Sequence, residues 1–200
     1  MKRPLQIGIT GGIGSGKSLV CRIFQCLGAP TYDADAKAKD LMVTDLHLVT
    51  QIQKEFGPQA YFSNGQINRN YLSKAAFGNP DQLERLNRLI HPLVLEDYNR
   101  WADTFPDKPY VIKEAALIFE AGHTAGLNAV IVVSAPEALR IRRVMQRDTH
   151  RTEKDIRNII NSQIPEEEKL KHADFVIVND ETKLVIPQVL KLHERFLIMD

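Results

Sequence analysis

The amino-acid sequence predicts an α/β protein, doubly wound around a mostly parallel sheet of five strands, and three observations carry that prediction. Apolar runs without polar alternation, Ala129-Val130-Ile131-Val132-Val133 and Phe175-Val176-Ile177-Val178, suit strands covered on both faces. Helical periodicity fills the stretches between and after them. Strands alternating with helices in this way build parallel βαβ units.

Taken in order, Leu5-Gln6-Ile7-Gly8-Ile9-Thr10 reads as a short strand that feeds a glycine-rich turn. From Lys17 to about Leu27 the apolar residues Leu19, Val20, Ile23, Phe24 and Leu27 recur at helical spacing, and Gly28 stops the helix. A second strand leads to Tyr32-Asp33-Ala34-Asp35, and Tyr110-Val111-Ile112 leads as a further strand into Glu114. Helices are predicted over Pro136 to Arg147, Thr152 to about Ser162 and Lys183 to about Phe196. Thr152 with Asp155 has the spacing of a capping box.

The middle of the chain breaks the rhythm. No buried strand is evident from about Leu46 to Phe105, and the stretch from Asp81 to Ile90 is amphipathic, with Pro92 expected to bend or interrupt it. The reading is one domain over 1–200, with a core of 1–44 and 106–200, a helical insertion at about 45–105 and a helical lid at about 140–165. The insertion is a place to hold an acceptor, or a purely structural cap.

Composition narrows the function. Lys and Arg total 26 against 25 Asp and Glu, so no global field draws nucleic acid or an anionic membrane, and neither is expected as a partner. Hydrophobic residues make up 44% of the chain, ordinary for a globular protein. The basic start Met1-Lys2-Arg3-Pro4 is followed by an apolar stretch too short for a signal peptide or membrane span, so a cytoplasmic location is expected. Cys21 and Cys26 match no zinc spacing and read as packing residues of a reducing compartment.

Gly11-Gly12-Ile13-Gly14-Ser15-Gly16-Lys17-Ser18 fits G-x-x-x-x-G-K-[ST] at every fixed position. Its glycines let backbone N–H groups approach phosphate oxygens, and the helix that follows aims its positive end at the same anion. Lys17 would reach the β- and γ-phosphates of ATP, and the Ser18 hydroxyl would ligate Mg²⁺. Gly12, Ile13, Gly14, Ser15 and Gly16 would contribute the loop. The guanine-reading Asn-Lys-x-Asp of GTPases is absent; Val178-Asn179-Asp180 lacks the lysine. Asp33, at the end of the second strand, could take the acceptor's proton, or could cap the helix beginning at Ala34. Arg140, Arg142, Arg143, Arg147 and Arg151 could stabilise phosphoryl charge, or could line a solvated face.

The run Ile7 to Ser18, then Asp33-Ala34-Asp35, Leu89-Ile90-His91-Pro92-Leu93-Val94, Leu117-Ile118-Phe119-Glu120 and Ala173 to Asn179, resembles the dephospho-CoA kinase family over nearly the whole chain. The resemblance implies an adenylate-kinase-like fold of the P-loop NTPase class. It also implies transfer of the ATP γ-phosphate to the ribose 3′-hydroxyl of dephospho-CoA, giving CoA and ADP in the last step of CoA biosynthesis. It makes Asp33 the catalytic base, Arg140 and Arg147 the lid arginines, and Asn179 a neighbour of the adenine. Asp35, His91 and Pro92 would face the acceptor. The family's Asp-x-Pro-Leu-Leu-Phe-Glu is here Glu114-Ala115-Ala116-Leu117-Ile118-Phe119-Glu120, a departure in which Glu114 would serve the acceptor or, through water, the metal. Another small-molecule kinase, of nucleosides or nucleotides, and a nucleotide-binding switch ATPase are the alternative readings.

Overall fold

The computed structural model describes residues 3–76, 80–120 and 124–199, and the chain divides into two compact units, Met1–Asp33 with Ala102–Asp200, and Ala34–Trp101. The divisions fall at Ala34 and Ala102, where the sequence reading placed them at about 45 and 105.

The first unit is built on β1 (Leu5–Thr10), β2 (Thr31–Asp33), β3 (Tyr110–Glu114), β4 (Ala129–Ser134) and β5 (Phe175–Val178), paired in the order β2-β3-β1-β4-β5. All four pairings are parallel. The prediction of a mostly parallel five-stranded sheet holds, and every pairing in that sheet among the described residues is parallel. Parallel neighbours need crossovers between them; in this unit α1 (Lys17–Cys26) joins β1 to β2, α6 (Glu137–Arg147), α7 (Glu153–Asn161) and α8 (Glu166–Lys171) join β4 to β5, and α9 (Val185–Leu197) follows the last strand.

Period-2 alternation sends Ile7, Ile9, Ile112, Ile131, Val133 and Ile177 to one face of the sheet, where they meet Val20 and Phe24 of α1 and Val189 and Phe196 of α9. Phe24 is fully buried and its ring meets Tyr110 edge-on at 6.1 Å. Burying such a side chain contributes about 1.5–3 kcal/mol, so this layer fixes α1 and the loop before it against β1 and β3.

Helix α8 is absent from the sequence expectations. Its six residues, Glu-Glu-Glu-Lys-Leu-Lys, carry no apolar stripe. It forms because Pro165 precedes a first turn of three glutamates at the positive helix end, with Lys169 and Lys171 toward the other end. Lys169 is buried and its ammonium pairs with Glu120 at 2.8 Å. The capping box of α7 is present as expected, with Asp155 N–H donating to Thr152 Oγ1 at 3.2 Å and Thr152 N–H to Asp155 Oδ2 at 2.9 Å.

The second unit holds α2 (Ala34–Thr44), α3 (Leu46–Phe56), a 3₁₀ turn (Pro58–Ala60), α4 (Arg69–Ala76) and α5 (Pro80–Ala102). Asp45 caps α3 by accepting from Leu48 N–H at 2.9 Å. The expected interruption at Pro92 does not occur: α5 runs through it for 23 residues. Proline removes one helical hydrogen bond, yet the buried stripe Leu86, Ile90, Val94 and Tyr98 lies on both sides of it and holds the two halves to one packing surface. No described helix is long and apolar enough to cross a membrane.

Candidate active site

β1 delivers the chain into the loop 11–16 at the C-terminal edge of the sheet, and α1 starts at Lys17. Gly16 is the N-cap of α1 at φ 100°, ψ 24°, and no side chain caps the helix. A Cβ there would be strained and would stand 2.3 Å from Asn179 Nδ2. Glycine at this position therefore leaves the first-turn N–H groups to an anion rather than to a capping oxygen. Beside them the Ser15 hydroxyl is fully buried without a hydrogen-bond partner among the described residues. The loop's chemistry thus fits a phosphate group.

Lys17 Nζ donates to the carbonyls of Gly11 at 2.9 Å and Gly12 at 3.4 Å, so the ammonium lies over its own loop. Ser18 Oγ donates to Glu114 Oε1 at 2.9 Å. Hydroxyl and carboxylate oxygens are the donors a magnesium ion takes, and Ser18 with Glu114 could hold one. Strand register sets Asp33 of β2 opposite Glu114 of β3, and Glu114 opposite Ile9 of β1. Asp33 is exposed and Glu114 buried. One carboxylate is thus exposed at the strand end and the other is held against the loop helix.

Of the two cysteines read as packing residues, Cys26 is exposed, while Cys21 packs in the core as expected and also meets this cluster. Burial pushes its thiol well above the ordinary range, and the charge of Glu114 and a hydrogen bond to it push further, against the opposing pull of Lys17. It remains a neutral thiol beside the Glu114 carboxylate.

The arginines separate. Arg140 is 5% exposed; its Nε donates to Ala135 O at 3.0 Å and its Nη2 meets Glu166 Oε2 at 3.2 Å. Its Nη1 lies so close over Gly12 that a Cβ there would come within 2.1 Å. Arg143 donates to Asn179 O at 3.0 Å and to Asn179 Oδ1 at 3.3 Å, and Asn179 Nδ2 donates to Ser15 O at 2.8 Å. Asn179 therefore braces the loop from beneath. Arg147 is not brought to the loop: it pairs with its neighbour Asp148 through Nε at 2.8 Å and Nη2 at 3.0 Å. Asp35 in the first turn of α2, and half-buried His91 and exposed Pro92 in α5, belong to the second unit.

Sequence reasoning missed Gln163, whose Oε1 accepts from the loop N–H of Ile13 at 3.2 Å, and Glu166. Glu120 closes the motif Leu117-Ile118-Phe119-Glu120. That carboxylate accepts from Lys169 Nζ and, at 3.1 Å, from Ile164 N–H, tying down the linker that carries Gln163. No spacing in the sequence links these residues to the loop.

Comparison with known proteins accords with this geometry. The model of the dephospho-CoA kinase family matches residues 5–184. The dephospho-CoA kinase of Bacteroides fragilis is 35% identical over 188 residues, covering 94% of this chain and 91% of that protein. That of Chlorobium chlorochromatii is 38% identical over 204 residues, covering 98% and 95%. Among solved structures, TT1252 from Thermus thermophilus superimposes with a TM-score of 0.87 at 32% identity, covering 98% of this chain and 99% of that one. Dephospho-CoA kinase from Campylobacter jejuni gives 0.69 at 27% identity, covering 95% and 96%. A shikimate kinase from Acinetobacter baumannii, at 16% identity and a TM-score of 0.52, shares the fold alone. The chain belongs to the dephospho-CoA kinase family, a family of ATP-dependent kinases.

Proposed function

We propose that the chain transfers the γ-phosphate of ATP to the ribose 3′-hydroxyl of dephospho-CoA, with Mg²⁺, and that Asp33 takes the proton of that hydroxyl. The observation that carries the reading is the grouping of Ser18, Glu114 and Asp33 beside the phosphate loop, in a chain of this family.

When bound, MgATP supplies the phosphoryl group and a cation that neutralises its oxygens. The chain's own residues do the rest. Loop N–H groups from Gly12 to Ser18 and the ammonium of Lys17 bind the phosphates, and Lys17 exchanges its contacts with Gly11 and Gly12 for them. Ser18 and Glu114 would hold the metal from the protein side. Arg140, seated on Gly12, stabilises charge on the transferred group. Asp33, exposed at the end of β2, accepts the proton as the hydroxyl attacks. Asn179 keeps the loop in shape below the nucleotide. Asp35, His91 and Pro92 are the second unit's candidates for acceptor recognition.

ADP release with MgATP, measured with dephospho-CoA and with adenosine and AMP as control acceptors, tests the reading. Stimulation by dephospho-CoA alone is expected. Stimulation by a control would move the acceptor, and stimulation by none would leave a nucleotide-binding switch. Asp33→Asn should keep ATP binding while turnover falls by about 100-fold or more; wild-type turnover would return Asp33 to the role of a strand end.

A further inference from the structure

We propose that Glu166 is a positioning residue for phosphoryl transfer, which holds the Arg140 guanidinium in the orientation that presents Nη1 to the phosphate loop. The proposal rests on the role given to Arg140 above.

A planar guanidinium is oriented by two fixed points, because one hydrogen bond leaves it free to swing about that bond. Ala135 O takes Nε at 3.0 Å and is the first point. Glu166 Oε2 takes Nη2 at 3.2 Å and is the second. With both engaged, Nη1 is the edge left over, and it is the atom that stands above Gly12. Remove the carboxylate and the Nε bond alone does not specify where Nη1 points.

Glu166 is itself held on two sides. Its other oxygen, Oε1, accepts from the Ser134 hydroxyl at the end of β4. It is also the first residue of α8, three positions before Lys169, whose buried ammonium is anchored on Glu120. Residues three apart on a helix share a face, so that anchor fixes the rotation of α8 and with it the direction of the Glu166 side chain. The chain of contacts runs from Glu120 through Lys169 and Glu166 to Arg140 and the loop. A buried ion pair is weak support for stability, since its desolvation offsets most of its attraction. Orienting a charge that must meet a reacting group is a use that accounts for its place here.

The test is steady-state ADP formation from MgATP and dephospho-CoA by the full chain. The variants are Glu166→Gln, Glu166→Ala, Arg140→Ala and the double variant Arg140→Ala/Glu166→Gln, with thermal melts alongside. Glu166→Gln keeps the shape but leaves one acceptor oxygen for two donors, the Ser134 hydroxyl and Arg140 Nη2, so it reports even where the alanine variant fails to fold. It should lower kcat by about 10-fold or more, the scale of a small misplacement of a catalytic group. KM for ATP should stay within about twofold, because the loop's own phosphate contacts remain. In the Arg140→Ala background the same substitution should change kcat by less than about twofold, since it would act only through the missing arginine. Unchanged kcat in Glu166→Gln overturns the proposal. So does an equal loss with and without Arg140. Wild-type kcat in Arg140→Ala alone would instead sink the role of Arg140, and the proposal with it.

Discussion

Arg140 and Arg147 lie on the same helix, seven residues apart and on the same stripe, yet the structure puts them in opposite environments. At the inner end of α6, the Arg140 side chain is 7% exposed and held by a backbone carbonyl and a carboxylate against the phosphate loop. At the outer end, the Arg147 side chain is 63% exposed and closes on its own neighbour, Asp148. Residue type and helical phase are identical. What differs is what the rest of the chain brings alongside: Gly12, Ala135 and Glu166 at one end, solvent and Asp148 at the other. An arginine's function is therefore set by the restraints on its guanidinium more than by its place in a helical repeat.

Four substitutions test this contrast. The largest effect is expected from Arg140→Ala, which should lower kcat by about 100-fold or more, the usual scale for losing a preorganised donor at developing charge. ADP formation with dephospho-CoA measures it, and a loss below about threefold would make the inner end no different from the outer. Gly12→Ala probes the same contact without touching the arginine. Its Cβ would stand 2.1 Å from Nη1, so the guanidinium must swing away. A fall in kcat of about 10-fold is expected, with ATP binding followed separately by calorimetry. Arg147→Ala should leave kcat unchanged and shift stability by less than about 0.5 kcal/mol. A large loss of kcat in that variant would show that the outer end also reaches the site during turnover.

The smallest effect is one of pH. The hydrogen bond from Arg147 holds the Asp148 carboxyl below its ordinary 3.8. A folded-state value below the unfolded one means a contribution that is present above 3.8 and is lost as pH falls through the folded value. Any Tm difference between wild type and Asp148→Asn at neutral pH should therefore shrink on acidification below that range. A difference that grew on acidification would mean that the carboxyl is not depressed.

Much of the site was legible because its signals are local. The strand Leu5–Thr10, the eight-residue loop and the helix from Lys17 are contiguous, and each residue type acts on its own backbone or on the anion it faces. The stop at Gly28 and the capping box of Thr152 and Asp155 are legible for the same reason. Asp33 follows from its place at a strand end. The partnership of Ser18 with Glu114 spans 96 positions, and no local rule brings it out. Helix α8 escaped notice because its sequence is nearly all charged, and the contacts that define it run to Glu120, Ser134 and Arg140. Pro92 does not interrupt α5 for a related reason: proline's local penalty is certain, while the packing of the stripe around it is a sum over distant residues.

A parallel α/β sheet, a phosphate loop with its lysine and hydroxyl, and a resemblance to one kinase family can all be read from residue order alone. Hydrogen-bonding geometry and hydrophobic periodicity act over a few residues, so they are written into neighbouring positions. Which arginine meets the loop, the bracing by Asn179 and Gln163, and the turn of Glu114 to Ser18 emerge when distant segments pack together. Those outcomes depend on burial and on the meeting of charges far apart in the chain. Such terms have no value until the whole fold has formed.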